Sequence, residues 1–241
     1  MSTASGHTPP RALLFDVFGT CVDWRTSIAR QGAALGSRYG LDEIAWDAFA
    51  DAWRARYQPQ MNTVRSGMRE WATLDVLHRE SLDDVLAEFG VDLRPDDRDA
   101  LTLAWHRLEP WPDTVAGLGR LRHRFIVAPA SNGHIALQVN LARHAGLTWD
   151  AILGAEIAHA YKPDPHVYLR SVAALGLDPS QVMMVAAHNG DLHAAARCGL
   201  QVAFVSRPRE YGPGQATDLV ADPGIDIAVS DFGALATALA A

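Results

Sequence analysis

The fold of this chain is constrained most by a series of short apolar runs that alternate with helical patterns. Runs of this length, rich in Val, Ile and Phe, are typical of strands covered on both faces in a parallel sheet. We predict such strands over residues 12–15, 125–130, 152–153, 182–187, 202–205 and 225–229. Helical patterns lie between them, over residues 114–124, 135–145, 165–175 and 192–198. Gly146, Gly176 and Gly199 stand where helices commonly stop, and the alternation predicts a doubly wound α/β fold.

The segment between residues 24 and 108 differs from the rest of the chain, because it contains no clear strand pattern. Its apolar and aromatic residues, such as Trp46, Phe49 and Trp53, recur at helical spacing. We interpret it as a helical cap domain inserted after the first strand, a kind of lobe that often closes over an active site. Pro110 and Pro112 mark the return of the chain to the core. We therefore predict a flexible tail over residues 1–10 and a cap domain over residues 24–108. The core domain is formed by two segments, residues 11–23 and 109–241.

The charge balance and the cysteine content argue against several classes of protein. Lys and Arg number 21 against 28 Asp and Glu, and the formal net charge of −7 argues against a nucleic-acid-binding face. Two cysteines, Cys21 and Cys198, cannot form a disulfide framework, so we expect the protein to be located in a reducing cytoplasm. Residues 1–10 show no signal peptide, and no apolar run is long enough for a membrane span. We therefore expect a cytoplasmic protein that binds neither nucleic acid nor membrane.

Polar side chains follow the predicted strands at the points where those strands end. Asp16 follows the first strand, and Ser131 and Asn132 follow the next one. His188 and Asp191 follow a later strand. Because ligands of an open parallel sheet bind at the carboxyl ends of its strands, we expect these residues to converge on one crevice.

Four motifs in this order resemble those of the haloacid dehalogenase superfamily. They are Phe15-Asp16-Val17-Phe18-Gly19-Thr20, Ser131-Asn132-Gly133, Lys162-Pro163 and the late Asp191. Each motif alone has little specificity, but the four in order, with a helical insertion after the first, cover most of the chain. The resemblance implies a Rossmann-like core with an inserted α-helical cap, in agreement with the fold predicted from the apolar runs.

Phe18 separates this chain from the phosphatases of the superfamily. Their phosphoryl transfer is associated with two carboxylates two residues apart, one a nucleophile and the other a general acid. A phenyl ring donates no proton and binds no Mg²⁺, and Asp191 is a single acid where a Mg²⁺ site needs more oxygen ligands. We therefore expect no metal and no cofactor. A halide leaves carbon as an anion without a proton, and an aromatic ring beside Asp16 keeps water away from the carboxylate.

At three further positions the chain resembles the type II L-2-haloacid dehalogenases. Arg54 falls where that family has its cap arginine, Thr20 also matches, and Tyr168 completes a matching stretch over residues 162–168. The resemblance implies hydrolysis of a small halogenated carboxylic acid, an (S)-2-haloacid, to a 2-hydroxyacid. It also implies water as the second substrate and a homodimer.

The mechanism implied by this resemblance has two steps. Asp16 attacks C2 of the haloacid, inverts that centre and expels halide, which leaves an ester on Asp16. Water then attacks the carbonyl carbon of the ester and releases the 2-hydroxyacid. In this scheme Lys162 keeps Asp16 ionised. Thr20 and Tyr168 fix the geometry, and Asp191 orients either Lys162 or the water.

The implied substrate contacts come from the cap and from the ends of the first two strands. Arg54 and Asn132 receive the halide. Ser131 and backbone N–H groups at the start of the following helix hold the substrate carboxylate. Phe18 supplies the apolar wall beside the nucleophile.

Two positions depart from the family pattern. Aligned on Asp191, Ala186 stands where the best-known members have serine and His188 where they have asparagine. An unperturbed histidine titrates near neutral pH, so His188 is a candidate base, charge partner or hydrogen-bond substitute. Three alternative functions stay open, namely the same nucleophile acting on another leaving group, a Mg²⁺-dependent phosphatase and a catalytically degenerate binding module.

Overall fold

The computed structural model of the protein describes residues 9–241, and its strands form one main sheet. In chain order the strands are β1 (Ala12–Phe15), β2 (Val22–Asp23), β3 (Glu109–Pro110), β4 (Ile126–Ser131), β5 (Leu153–Gly154), β6 (Val182–Ala186), β7 (Gln201–Val205) and β8 (Ile227–Val229). Six of them form a parallel sheet in the order β5-β4-β1-β6-β7-β8, and β2 pairs with β3 in a short antiparallel ladder. Consequently β1 lies near the middle of the sheet, between β4 and β6.

The helices of the described chain fall into two groups. Between β2 and β3 they are α1 (Trp24–Gly36), α2 (Trp46–Ala55), α3 (Tyr57–Arg65), α4 (Leu74–Glu88) and α5 (Pro95–Thr102), followed by a 3-10 turn over Leu103–His106. We call this segment, residues 24–108, the helical insertion. After β3 they are α6 (Thr114–Arg122), α7 (Ile135–Ala145), α8 (Ala155–Ala158), α9 (Pro165–Ala174), α10 (Asn189–Arg197) and α11 (Phe232–Ala238).

The central strands are buried on both faces. Leu13 and Phe15 of β1 belong to one hydrophobic cluster, whereas Ala12 and Leu14 belong to a second one. Successive residues of a strand point to opposite faces of a sheet, so each cluster marks one face covered by helices. The predicted doubly wound α/β fold with an inserted helical segment is confirmed.

Aromatic side chains join the helical insertion to the sheet. Phe18, just after β1, packs edge-on against Tyr57 of α3 and against Trp105, with ring centroids 6.3 and 5.8 Å apart. Trp53 of α2 packs edge-on against Trp105 in turn, at 5.5 Å. These rings form part of the larger hydrophobic cluster. The apolar contact places the insertion directly over the end of β1, where Asp16 lies.

Several elements differ from their predicted bounds for local reasons. The helix predicted over residues 192–198 begins at Asn189, because polar residues in a first helical turn hide the apolar period but suit the helix N-terminus. Helix α11 was not predicted, and Asp231 caps it by accepting a hydrogen bond from the Ala234 N–H. Pro110, predicted only to break the chain, pairs with Val22 in the short ladder.

Two predictions concern the ends and the surroundings of the chain. Residues 1–8 of the predicted tail, which spans residues 1–10, lie outside the described residues. Within residues 9–241, no helix is both long and apolar enough to cross a membrane.

Candidate active site

A cavity of about 340 Å³ opens at the carboxyl edge of the sheet, beneath the helical insertion. Most of the predicted site residues line it, namely Asp16, Phe18, Arg54, Asn132, Lys162, Tyr168, His188 and Asp191. The structure therefore brings together side chains from four strand ends or loops and from the insertion. Thr20 and Ser131 do not line the cavity.

Asp16 directly follows β1 and is held by the turn that comes after it. Thr20 Oγ1 donates a hydrogen bond to Asp16 Oδ2 at 2.8 Å and accepts one from the Ala187 N–H at 2.9 Å. Thr20 thus ties the carboxylate to the end of β6. Gly19 has φ +87°, a left-handed conformation that favours glycine, and a Cβ there would overlap the carboxylate of Glu210.

Lys162, the only lysine in the chain, lies between two carboxylates. Its Nζ is 3.3 Å from Asp16 Oδ1 and 2.7 Å from Asp191 Oδ2. The Tyr168 hydroxyl donates to the other oxygen of Asp191 at 2.5 Å. Asp191 is therefore held by two donors and orients the ammonium group toward Asp16.

The charges of the buried groups keep Asp16 ionised. Burial alone raises the pKa of Asp16, but the charge of Lys162 and the hydrogen bond from His188 outweigh it and place that pKa well below its ordinary value. Burial lowers the pKa of Lys162, but the carboxylates of Asp191 and Asp16 outweigh that effect and raise it. At neutral pH the pair is a carboxylate beside an ammonium ion, with no proton on Asp16.

His188 bridges Asp16 and a second buried carboxylate. Its Nδ1 is 3.2 Å from Asp16 Oδ2, and its Nε2 is 2.8 Å from Glu210 Oε2. Glu210 is 1% exposed and also accepts a hydrogen bond from the Trp24 indole N–H at 3.0 Å. Burial lowers the pKa of His188, but Glu210 and Asp16 outweigh that effect and raise it well above the ordinary value.

Glu210 was not predicted as a site residue from the sequence. The signal available for it was the rule already applied to the other strands, because polar residues also follow the run that forms β7. What the sequence does not show is the approach of this loop to Gly19 and Trp24, which lie far away in the chain.

Arg54, near the end of α2, presents a buried cation to the cavity. Its guanidinium carbon lies 4.1 Å from the ring centroid of Tyr57 and 5.3 Å from that of Trp24. Among the described residues its buried Nη1 has no hydrogen-bond partner. A buried donor without a partner is costly, and an anion in the cavity would satisfy it.

The other arginines of the same region are engaged elsewhere. Arg56 pairs with Glu88 and Arg69 with Glu80, both at 2.7 Å on the surface. Arg65 donates to the backbone carbonyl of Lys162. Among these four arginines only Arg54 lines the cavity, and its predicted role as the cap arginine stays a prediction. Tyr57, which stacks on it and lines the cavity, was not predicted.

The turn after β4 places Asn132 in the cavity but turns Ser131 away from it. Asn132 Oδ1 accepts a hydrogen bond from the Lys162 backbone N–H at 2.8 Å. The Ser131 hydroxyl is wholly buried and accepts from the Gly133 N–H at 3.0 Å and from Gln138 Nε2 at 2.9 Å. The Ser131 hydroxyl therefore stabilises the turn as an acceptor, and its predicted contact with the substrate carboxylate stays a prediction.

The start of the helix after this turn is also occupied. The Ile135 N–H of α7 donates to Glu156 Oε2 at 2.6 Å. Because Glu156 accepts from this donor, the first N–H of α7 is engaged, and the predicted contact of the substrate carboxylate with backbone N–H groups stays a prediction for the others at this helix start.

Comparisons with known proteins place the chain in a family of hydrolases. A family model for haloacid dehalogenase-like hydrolases matches residues 10–199. (S)-2-haloacid dehalogenase 1 of Pseudomonas sp. strain CBS-3 is 31% identical over 209 residues, which cover 84% of this chain and 88% of that protein. (S)-2-haloacid dehalogenase 4A of Burkholderia cepacia is 30% identical over 207 residues, with coverage of 83% and 86%.

Solved structures agree with these sequence relatives. The crystal structure of a defluorinating L-2-haloacid dehalogenase is 50% identical to this chain and superposes with a TM-score of 0.94, over 96% of each chain. A second L-2-haloacid dehalogenase is 48% identical, with a TM-score of 0.93 over 96% of this chain and 99% of that one.

Proposed function

The chain belongs to the haloacid dehalogenase-like hydrolase family, and on that premise we propose that it hydrolyses the carbon–halogen bond of short (S)-2-haloacids to give 2-hydroxyacids. The observation that carries the proposal is a partly buried, ionised Asp16 with Phe18, which donates no proton, two residues beyond it. A phenyl ring where the phosphatases of the superfamily have their general acid suits a leaving group that departs as an anion. The relatives named (S)-2-haloacid dehalogenase support the same reaction.

In the first step Asp16 attacks C2 of the haloacid and forms a C–O bond as the C–halogen bond breaks. Lys162 keeps the carboxylate charged, and the hydrogen bond from Thr20 fixes its direction. The Arg54 guanidinium, through its unpartnered Nη1, receives the departing halide, together with the Asn132 amide. Phe18 and the rings around it exclude water, so that the haloacid and not water meets the nucleophile.

In the second step water attacks the carbonyl carbon of the Asp16 ester, and His188 is the group placed to take its proton. Once Asp16 is an ester, the negative charge facing His188 Nδ1 is gone. The pKa of His188, which Asp16 and Glu210 together raise in the free enzyme, then falls, so the imidazolium releases its Nδ1 proton to solvent and the neutral ring accepts a proton from the attacking water at Nδ1. Glu210 holds the ring in place through Nε2. The histidine departure from the family pattern therefore assigns His188 the role of general base.

The alternative functions are weaker for specific reasons. A Mg²⁺-dependent phosphatase needs a second oxygen ligand and a proton donor near the nucleophile, and the Phe18 ring supplies neither. A degenerate binding module would not need Asp16, Lys162 and Asp191 to be paired as they are. The third alternative, the same nucleophile acting on another leaving group, is distinguished from dehalogenation by whether halide is released from 2-haloacids.

The proposal is tested by halide release from (S)-2-fluoro-, (S)-2-chloro- and (S)-2-bromopropionate, with and without EDTA. We expect release of halide with equal rates in both conditions, since none of the proposed steps uses a metal. Phosphate release from a generic phosphoester with Mg²⁺, with no halide released from any of the acids, would contradict the proposal.

Arg54→Met is expected to lower kcat/KM for halide release about 100-fold, because the developing halide loses its charged donor. Arg56→Met is the matched control, since it lies two residues away and pairs with Glu88 on the surface. Steady-state halide release from (S)-2-chloropropionate measures both variants. Equal losses in the two would refute the role of Arg54 as the halide site.

His188→Gln is expected to slow hydrolysis of the ester about 100-fold or more while halide release in the first turnover stays fast. Stopped-flow mixing of enzyme with excess haloacid would then show a halide burst of one equivalent followed by a slow steady rate. His166→Gln, a surface histidine bonded to Asp164, serves as the control. A His188→Gln trace with unchanged burst amplitude and unchanged steady rate would eliminate the general-base role.

We further propose that the helical insertion, residues 24–108, is the cap domain and that residues 11–23 with 109–241 form the core domain. A cytoplasmic location is supported by the free thiols of Cys21 and Cys198. We also propose a homodimer, on the resemblance to the family. Light scattering of the purified chain tests the dimer, and a monomer at micromolar concentration would contradict it.

A further inference from the structure

A second cluster of chemically competent side chains lies outside the cavity at Asp16. Asp75 is in the first turn of α4, His106 ends the 3-10 turn that closes the helical insertion, and His134 follows β4. Asp75 Oδ1 is 2.8 Å from His106 Nε2, and Asp75 Oδ2 is 3.3 Å from His134 Nε2. None of the three lines the active-site cavity, and the dehalogenation steps use none of them.

The spacing of the three donor atoms suits a tetrahedral metal ion. One ligand atom from each residue lies within 4.8 Å of the other two. Zinc binds imidazole nitrogen and carboxylate oxygen at about 2.0–2.2 Å, so neighbouring ligands of a tetrahedral site are about 3.3 Å apart. The two measured separations, 2.8 and 3.3 Å, lie below and at that value, and small side-chain movements would place an ion between the ligands.

The surroundings of the cluster favour a bound ion over a simple hydrogen-bonded triad. His106 and His134 are both buried, whereas Asp75 is partly exposed. His106 Nδ1 lies 3.0 Å from the side-chain amide of Asn140. A metal-bound imidazole needs such an outer partner to fix its tautomer and orientation, and the Asn140 amide can present its oxygen there.

The cluster is also accessible to an ion from solvent. Asp75 is partly exposed and lines a surface cleft of about 420 Å³. Glu80 and Asp99 line the same cleft beside one cation, Arg79. The cleft leads to the carboxylate, so an ion reaches the two buried imidazoles through Asp75 without opening the core.

We propose that Asp75, His106 and His134 form a binding site for a divalent transition metal of the Zn²⁺ class, with water as the fourth ligand. Two imidazoles and one carboxylate are the donors that such ions prefer, whereas Mg²⁺ and Ca²⁺ prefer oxygen alone. Two of the ligands belong to the helical insertion and the third to the loop that carries Asn132. A bound ion therefore fastens the insertion to the core beside the active site.

The test uses untagged, EDTA-treated protein and Co²⁺ as a coloured substitute for Zn²⁺. We expect one equivalent of Co²⁺ to produce the intense visible bands of a four-coordinate ion and one equivalent of Zn²⁺ to abolish them. His106→Gln and His134→Gln are each expected to weaken Zn²⁺ binding at least about 100-fold by calorimetry. His193→Gln, which removes a surface histidine paired with Asp222 at 2.9 Å, should bind Zn²⁺ like the natural chain.

If a ligand variant fails to fold, the metal site is tested with the natural protein alone. One saturating equivalent of Zn²⁺ should raise its melting temperature by several degrees, because the ion binds only the folded state. Absence of the visible bands, or equal Zn²⁺ affinity in the folded His106→Gln and His193→Gln proteins, would overturn the site. Halide release is a separate readout, since EDTA-treated enzyme should dehalogenate at the same initial rate whether or not this site exists.

Discussion

Asp16→Asn is expected to abolish halide release, lowering single-turnover rates by at least about 10⁴-fold. An amide has almost the same shape as the carboxylate and keeps the contact with Lys162, but it is a poor nucleophile toward an alkyl carbon. The carboxylate is the attacking group in the proposed mechanism, so no other residue replaces it. Rapid-quench measurement of bromide from (S)-2-bromopropionate would follow the first turnover directly.

The matched control for this variant is Asp92→Asn. The Asp92 side chain is 96% exposed, and its one ion pair within the described part of the chain is with Arg98 on the surface of the insertion. It should keep full activity. If Asp16→Asn retained more than about one hundredth of the natural rate in a sample free of deamidated protein, nucleophilic attack by Asp16 would be refuted.

Lys162→Met is expected to lower the first-step rate about 10²- to 10³-fold at neutral pH. The positive charge of Lys162 is the largest influence that lowers the pKa of Asp16, whereas burial raises it. Removing the charge therefore raises the pKa of Asp16, and the carboxylate takes up a proton at a higher pH than in the natural enzyme. The acid limb of the rate profile should move upward, toward neutral pH.

The measurement is the pH dependence of single-turnover halide release for the natural enzyme and the variant. Because Lys162 is the only lysine, protein labelled with ¹³C,¹⁵N-lysine gives one side-chain signal, and its titration reports the pKa of Lys162 directly. That pKa should exceed its ordinary value. An acid limb at the same pH in both proteins, or a lysine that titrates below its ordinary pKa, would contradict the proposed role.

The parts of the fold that could be predicted are those in which one local pattern dominates. The bounds of β1 and α7 match the predicted residues 12–15 and 135–145. In β1 every side chain is buried, and α7 ends at Gly146 with φ +70°, where glycine is favoured. Neither element needs a distant contact to specify its ends. The short α11 escaped prediction because seven residues carry too little periodic signal.

The candidate site was predictable where residues follow strands and less so where distant loops meet. Asp16, Lys162 and Asp191 are recognisable from order and position in the sequence. Glu210 acquires its role only because the loop after β7 packs against Gly19. Ser131 was assigned to the substrate on its position alone, but only the folded turn shows where its hydroxyl points.

The cluster of Asp75, His106 and His134 was not predicted from the sequence for the same reason, because it forms only where distant segments meet. These residues come from a helix, a 3-10 turn and a loop that are well separated along the chain. No short motif joins them, so a spacing rule for metal ligands has nothing to detect. Their proximity is a product of the packing of the insertion on the core.

A single turnover in H₂¹⁸O, with enzyme in excess over (S)-2-chloropropionate, tests the proposed ester most directly. Water adds to the carbonyl carbon of the ester, so the product keeps an oxygen that came from Asp16 and the carboxylate gains one from solvent. Mass spectrometry should find one ¹⁸O in the peptide that contains Asp16 and an unlabelled hydroxyl in the lactate. Label in the lactate hydroxyl with none in that peptide would mean that water displaces the halide itself, and the account would be wrong.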